Sequence, residues 1–312
     1  MTHPLYQIYS EWLKARYGTK VYKLPVSLPV SCPNRDGTAG TGGCIYCGAK
    51  GGGNEGLSSA LSVSTQIQRN RDYIAKRYKA QKFIPYFQSF SNTYCSLEFL
   101  KTAVYEAAPE ADETIVGIAI STRPDCISDA QIAFLSEFQA QRGIDITIEL
   151  GLQSANDTTL KILNRGHTLA DYQTAARRIK SAGLMLCTHV ILDLPWDSRE
   201  GVVQTARVIS KADSDFAKCH ALYVEKGTVL AKWYEDGQIA LFPKEEYIRR
   251  CILFLTHLRP DMVLQRIIGR APEEDTIVTN WNTSWWKIRD MLENTMDMEG
   301  AYQGQYYQES TE

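Results

Sequence analysis

Short apolar runs rich in β-branched and aromatic residues alternate with amphipathic stretches over the first two-thirds of this 312-residue chain, and few architectures accept that pattern. The runs are KVYKLPV (20–26), FIPYFQSF (83–90), TIVGIAIS (114–121), DITIELGL (145–152), LMLCTHVIL (184–192) and AKCHALYV (217–224). Helical periodicity fills the intervals near 64–80, 96–108, 128–141, 156–163, 168–182 and 199–212. Strands and helices in strict alternation mean βαβ units and a parallel sheet. Six units predict an α/β fold of the partial, open (βα)6 TIM-like barrel type, not a closed eightfold one. From about residue 225 the pattern turns mostly helical, with EEYIRRCILFLTHL (245–258) the clearest amphipathic helix and another near 284–296. The expected division is an N-terminal helical segment (1–19), the barrel (20–224) and a mostly helical extension (225–312).

Functional groups in parallel α/β sheets gather at the carboxyl ends of the strands. The loop after the first run carries CPNRDGTAGTGGCIYC (32–47), with Cys32, Cys44 and Cys47 and four glycines between them. Four cysteines close a structural zinc site or an iron–sulfur cluster. Three can hold a [4Fe–4S] cluster and leave one iron open, and an open metal position is a site for chemistry. S-adenosylmethionine (SAM), chelating through its amino and carboxylate groups, is one molecule able to fill it. Reductive cleavage of the sulfonium would then give a 5′-deoxyadenosyl radical. Two other readings stay open on spacing alone: zinc with a distant histidine, or a redox C-x-x-C with a bystander. A redox C-x-x-C opens a helix, and Gly48 with the glycines at 51–53 argues against one here.

Composition narrows the partners. A formal charge of −2 offers no global field for nucleic acid or membrane, so any such contact needs a local patch. There is no N-terminal signal pattern and no apolar run long enough to span a bilayer, so no membrane partner is expected. Eight cysteines, three of them in one loop, fit a reducing cytoplasm better than a disulfide scaffold. Cys95, Cys126, Cys187, Cys219 and Cys251 read as buried free thiols, and the sequence leaves open a catalytic part for Cys95 or Cys126.

Other strand ends are polar as well. QSFSNTY (88–94) brings Gln88, Ser91, Asn92 and Thr93, and STRPDC (121–126) brings Arg123. Glu149 and Gln153 interrupt an apolar run, which costs free energy unless they are paired or bind something. Twelve residues after Gln153 comes Arg165, whose fork suits a carboxylate. His189 sits in the fifth run, before DLPWD (193–197).

Taken together these residues resemble the radical SAM superfamily, in the branch with oxygen-independent coproporphyrinogen oxidase and the Elongator catalytic subunit. Nearly the whole chain is similar to the YhcC/YtqA-type family. The matching pieces are CPNRDG with its C-x11-C-x2-C spacing, YFQSFSNTY, STRPDC, ELGLQS with NRGHT, CHALYVEKGTVLA, EEYIRR, the APEE region, the tryptophan-then-lysine segment (281–287) and YQG. The resemblance implies that Cys32, Cys44 and Cys47 ligate the cluster and that Tyr46 packs near the SAM adenine. It implies that Gln88, Ser91, Asn92 and Thr93 stand where relatives contact the SAM amino group. Arg123 and Gln153 would line the SAM or substrate cavity, and Arg165 would bind the SAM carboxylate. His189 and the backbone at Leu194 and Pro195 would hold ribose and adenine. Relatives usually read G-F-x-C before the cluster and G-L-P-G-E after the fifth strand. This chain has Pro29-Val30-Ser31-Cys32 and Asp193-Leu194-Pro195-Trp196-Asp197.

The family implies tRNA as substrate, with a carboxymethylaminomethyl group on the wobble uridine processed to the aminomethyl form, and a one-electron reductant such as flavodoxin or ferredoxin. Hydrogen removal from the carboxymethyl carbon, oxidation to an imine and hydrolysis would free the amine. RNRDYIAKRYKAQK (69–82), with six Lys or Arg against one Asp, is the local basic patch. Tyrosines 73, 78 and 86 and tryptophans 281, 285 and 286 could stack on bases. The alternatives are a radical SAM enzyme acting on a small metabolite or tetrapyrrole, and a non-catalytic iron–sulfur RNA-binding or sensor protein.

Overall fold

In the computed structural model, which describes residues 4–49, 51, 56–269 and 275–309, helix Tyr9–Tyr17 (α1) leads into an alternating α/β array. Strands Val21–Val26 (β1), Lys82–Phe87 (β2), Gly117–Thr122 (β3), Asp145–Gln153 (β4), Met185–Ile191 (β5) and Phe216–His220 (β6) follow. Helices Val63–Tyr78 (α2), Leu97–Ala107 (α3), Asp129–Arg142 (α4), Asp157–Ile162 (α5), Leu169–Ser181 (α6) and Arg199–Lys211 (α7) lie between them. Most of these helices start at a serine, threonine or asparagine whose side chain takes a free backbone N–H. Ser128 and Thr168 form full capping boxes with Gln131 and Asp171. The remainder comprises Val224–Glu225 (β7), Val229–Glu235 (α8), Lys244–His257 (α9), Val263–Arg266 (β8), Thr276–Val278 (β9) and Trp285–Glu299 (α10).

The main sheet has seven parallel strands in the order β1-β2-β3-β4-β5-β6-β8, curled into a half-barrel, and β7 pairs antiparallel with β9. The seventh strand departs from the six-strand expectation. It has four residues, within a region whose sequence reads as helical, so periodicity gives no sign of it. The sixth run also breaks, with β6 ending at His220 and the chain turning before β7. The APEE stretch (271–274) lies outside the described residues.

Strand alternation sorts the side chains. On β4, Ile146, Ile148, Leu150 and Leu152 join the core under the helices, while Glu149, Gly151 and Gln153 face the barrel interior. The same parity puts Ala217 and Cys219 of β6 in that core and Lys218 and His220 inside. The amino end of the barrel is closed by α1. Tyr9 and Trp12 stack at 5.8 Å and meet Phe216 edge-on at 5.3 and 4.9 Å. The segment before α1 is tied to the far end of the chain. The Leu264 N–H donates to the Gln7 carbonyl (2.8 Å), and the Gln303 N–H donates to the Leu5 carbonyl (2.9 Å). The Gln303 side chain accepts from the Gln7 N–H (2.9 Å) and donates to the Met262 carbonyl (2.8 Å).

Phe216 is 1% exposed and joins this aromatic plug to the sheet. Phe216→Ala is expected to lower stability by about 3–5 kcal/mol, read as a lower urea midpoint at unchanged slope.

Candidate functional site

A cavity of about 1080 Å³ fills the half-barrel, and Cys32, Cys44 and Cys47 all line it. The loop that carries them is held by its own polar residues. The Arg35 N–H donates to the Cys32 carbonyl (2.8 Å) and the Gly43 N–H to the Asn34 carbonyl (2.8 Å). Gly43 takes φ +80, a left-handed turn where a Cβ would also press on the Arg35 side chain. Side-chain N–H groups point at the sulfurs. Arg165 Nη1 lies 3.2 Å from Cys44 Sγ, Asn34 Nδ2 3.6 Å from the same sulfur, and Arg35 Nη2 3.3 Å from Cys47 Sγ.

This donor set fits a cluster better than a lone ion. Among the described residues, the one group of three or more Cys, His, Asp and Glu ligand atoms gathered within 4.8 Å is Glu149, Cys187 and His189. The three loop sulfurs are more widely spread, as a multi-iron centre needs and a tetrahedral zinc does not. Glu149 itself is already neutralised by two ammonium groups, which leaves no negative charge for a cation.

Arg165 is the best-anchored residue beside the sulfurs. It is buried, and it donates to the Gly151 carbonyl (2.7 Å) and to the Tyr46 hydroxyl (3.3 Å) as well as to Cys44. A Cβ on Gly151 would come within 3.0 Å of Arg165 Nη2 and 2.9 Å of Gln153 Nε2, so that glycine gives both side chains room. Gln153 sits at φ +73 beside a register shift between β4 and β5, a backbone outlier on the cavity wall. Arg123 is buried and chelated by Asp125 at 2.9 and 2.7 Å, and its Nη1 has no hydrogen-bond partner. Gln88 lines the same wall with an unpartnered Nε2, beside Ser91. Orphaned buried polar atoms converging on one cavity mark a place where a polar ligand belongs.

Other sequence candidates sit elsewhere. Asn92 donates to the Phe87 and Ser121 carbonyls (3.1 and 2.9 Å), and the Thr93 hydroxyl meets Thr122 and the Cys126 carbonyl (2.6 and 2.7 Å). Both brace the loop after β2, outside the described lining. Leu194 is fully buried in a small apolar cluster with Ile45, Leu163 and Leu222, and Pro195 follows it. Trp196 turns onto Trp233 of α8 (6.1 Å between rings) and is not on the cavity wall, so its bulk does not fill the site. Cys126 is buried with its thiol pushed up to about 12 by burial, and neither Cys126 nor Cys95 lines the cavity.

Deeper in the barrel lies a polar layer of Tyr86, which the sequence offered as a base-stacking candidate, and of Lys23, Lys218, His220 and Arg266, which were not singled out in the sequence. Within the layer, Lys23, Lys218 and His220 left a signal, as polar residues inside apolar runs. Glu149 is its centre, fully buried, contacted by Lys23, by Lys218 Nζ (3.0 Å) and by His189 Nε2 (2.7 Å). Burial alone would raise its carboxyl, but Lys218 and then Lys23 hold it well below the usual range. His189 is pulled down to about 4 by burial and by Lys218, so it is neutral at pH 7 and its Nε2–H donates to Glu149. Lys14, Lys20, Lys23, Arg35, Arg123, Arg165, Lys218, Arg266 and Arg289 line the cavity against only Glu11 and Glu149 among the described residues. The chain as a whole is at −2. The cavity is a basic interior in an acidic protein.

The chain matches the Radical SAM superfamily over residues 34–209 and the Radical_SAM C-terminal domain over 214–298. It is 31% identical to the uncharacterized protein YtqA of Bacillus subtilis, over 98% of this chain and 94% of that protein. A tRNA uridine(34) acetyltransferase of Dehalococcoides mccartyi is 29% identical over 48% of this chain and 33% of its own length. The archaeal Methanocaldococcus infernus Elp3, solved with its N-terminus deleted, superposes with a TM-score of 0.69 at 18% identity, over 91% of this chain and 64% of that one. That likeness is one of fold. No helix among the described residues is long and apolar enough to cross a membrane.

Asp193 accepts the Leu222 N–H (2.7 Å) and is pushed up to about 7 by burial. Its folded value lies above the unfolded one of 3.8, so the unfolded chain releases this proton first. Stability is then lost as pH rises from about 4 through about 7, by up to about 4 kcal/mol. Asp193→Asn keeps an acceptor for Leu222, and it is expected to raise Tm more at pH 8 than at pH 5. Equal shifts at both pH values would show that Asp193 titrates normally.

Proposed function

The chain belongs to the radical SAM superfamily, and from that premise we propose that it acts on tRNA, converting a carboxymethylaminomethyl group on the wobble uridine to the aminomethyl form. The observation that carries the radical chemistry is the wall of three thiols, met by N–H donors from Asn34, Arg35 and Arg165, on a cavity lined by unpartnered polar atoms. When bound, a [4Fe–4S] cluster and SAM supply reductive cleavage of the sulfonium to a 5′-deoxyadenosyl radical. Cys32, Cys44 and Cys47 would hold the cluster, and N–H donors to sulfur would raise its reduction potential. Arg165 would take the SAM carboxylate, with Tyr46, Gln88, Ser91, Arg123, Gln153 and His189 around the rest of the molecule. A small one-electron protein such as flavodoxin or ferredoxin would deliver the electron.

The tRNA reading is supported by the partial likeness to a tRNA uridine(34) acetyltransferase and by the surface around the open seam of the barrel. Tyr78 at the end of α2 stacks on Tyr22 of β1 (4.8 Å), and Lys20 Nζ lies 5.3 Å over the same ring. Tyr73 and Arg77 continue this strip along α2, and Lys20, Tyr22, Trp285 and Arg289 carry it into the cavity. Aromatic rings with interleaved cations are the groups that hold an unstacked base and its phosphates. A tRNA substrate also implies a cytoplasmic location.

The test is anaerobic. Cluster-reconstituted protein, SAM and a strong reductant are incubated with and without bulk tRNA bearing carboxymethylaminomethyluridine, and 5′-deoxyadenosine and the nucleosides are measured by mass. A tRNA-dependent rise with loss of the carboxymethyl mass is expected, and Cys44→Ala should abolish both. Reversing Lys76, Arg77 and Lys79 to Glu should weaken tRNA binding by at least about tenfold and flatten its salt dependence. Cleavage indifferent to tRNA would move the substrate to a metabolite or tetrapyrrole. A cluster with RNA affinity and no cleavage would make this a binding or sensor protein.

A further inference from the structure

We propose that the inner wall between β6 and β8 is a carboxylate-binding subsite, built by Arg266, Gln265 and Lys218, that receives the carboxylate on the substrate's modified side chain. The identity of that substrate rests on the wobble-uridine reading, whereas the subsite rests on charge and hydrogen-bond bookkeeping inside the barrel. Three of the cationic lining groups are already engaged near the thiols: Arg35 and Arg165 with sulfur, Arg123 with Asp125. Deeper in, Lys23 and Lys218 share the single carboxylate of Glu149, which leaves one positive charge over. Arg266 adds a second. Its Nη2 donates to His220 Nδ1 (2.8 Å), and burial and Arg266 pull that imidazole well below its usual range, so it is neutral. No ion pair joins Arg266 to a carboxylate among the described residues.

The donors are unpartnered as well as the charge. Arg266 Nε and Gln265 Nε2 are both buried without a hydrogen-bond partner, on consecutive residues of one strand. Consecutive strand residues ordinarily face opposite ways. Here Ala217 pairs with Leu264 and Lys218 with Arg266, so Gln265 is an extra residue in β8, and this bulge brings both side chains to the cavity. The Gln265 carbonyl oxygen is used by Lys23 (2.8 Å), which fixes its amide as a donor toward the open side. Gly269 makes room for the guanidinium, since a Cβ there would lie 2.8 Å from Arg266 Cζ. A fork, an amide N–H and an ammonium with surplus charge form a donor-only set on one wall of the cavity. Cations in excess along a largely enclosed wall are costly until an anion joins them, and a planar carboxylate matches the fork.

The experiment reads binding, not turnover. Reconstituted protein is titrated calorimetrically with 5-carboxymethylaminomethyluridine and 5-aminomethyluridine, with N-benzylglycine and benzylamine as a pair lacking the nucleoside, and with SAM. The carboxylate member of each pair is expected to bind at least about tenfold tighter, an advantage that shrinks with salt, that Arg266→Met removes and that Arg266→Lys partly restores. SAM affinity should stay the same in Arg266→Met. If neither nucleoside binds but N-benzylglycine keeps its Arg266-dependent advantage, the subsite stands and the wobble-uridine reading fails. If N-benzylglycine has no advantage over benzylamine, or Arg266→Met leaves it intact, the subsite is wrong. A matching loss of SAM affinity would give these residues to the SAM carboxylate and also overturn the proposal. Should Arg266→Met not fold, Gln265→Leu is titrated in its place against the same outcomes.

Discussion

One buried carboxylate organises the barrel interior. Glu149, on the central strand, draws Lys23 from β1, His189 from β5 and Lys218 from β6 to a single point, and Ser121 of β3 touches it at 3.4 Å. Five of the seven strands therefore meet through side chains across a space that backbone hydrogen bonds do not bridge. In an open half-barrel there is no closing strand pair to fix the curl, so contacts across the hollow can set its width. A buried network of this kind is a weak source of net stability and a strong source of uniqueness, because each partner left alone would be an unpaired charge.

The same network divides the cavity by height. Beside the cysteine loop, the cations address sulfur and one aspartate. Around Glu149 they are in surplus, with neutral histidines between them. Both rings are held uncharged by burial first and by their cationic neighbours second, which keeps their lone pairs available as acceptors. Asp193 and Trp196, in the loop after β5, fall outside this machinery. Asp193 braces Leu222, and Trp196 packs on Trp233 behind the wall.

How much of this could be read in advance follows from which signal each residue leaves. The strands over 20–26, 83–90, 114–121, 145–152 and 184–192 were legible because a strand covered by helices on one face and lining a barrel with the other stays largely apolar. β8 was not legible: four residues between a helix end and a loop carry too little periodicity, and its place in the sheet is set by pairing with β6. The cysteine loop, Arg123, Gln153 and Arg165 stood out by residue type at strand ends, and they line one cavity. Asn92 and Thr93 stood out equally, yet their hydrogen bonds close the loop on itself. Type and position alone do not distinguish a ligand-facing asparagine from a bracing one. Lys218 and His220 went unnoticed because apolar content, not the parity of the polar exceptions, defined their run, and Arg266 because it lies on β8.

The floor of the barrel joins residues from both extremes of the sequence: Leu5 and Gln7 on one side, Met262, Leu264 and Gln303 on the other. Contacts of such sequence separation form late, since loop closure over nearly the whole chain must precede them. During synthesis the first six strands emerge well before β8 and Gln303, with the edge of β6 unpaired and α1 lacking its partner strand. A nascent chain at that stage has its three thiols already out and its chamber still unsealed. Metal loading that waits for release from the ribosome would meet a finished cavity; loading before it would meet an open one, wet at the amino end.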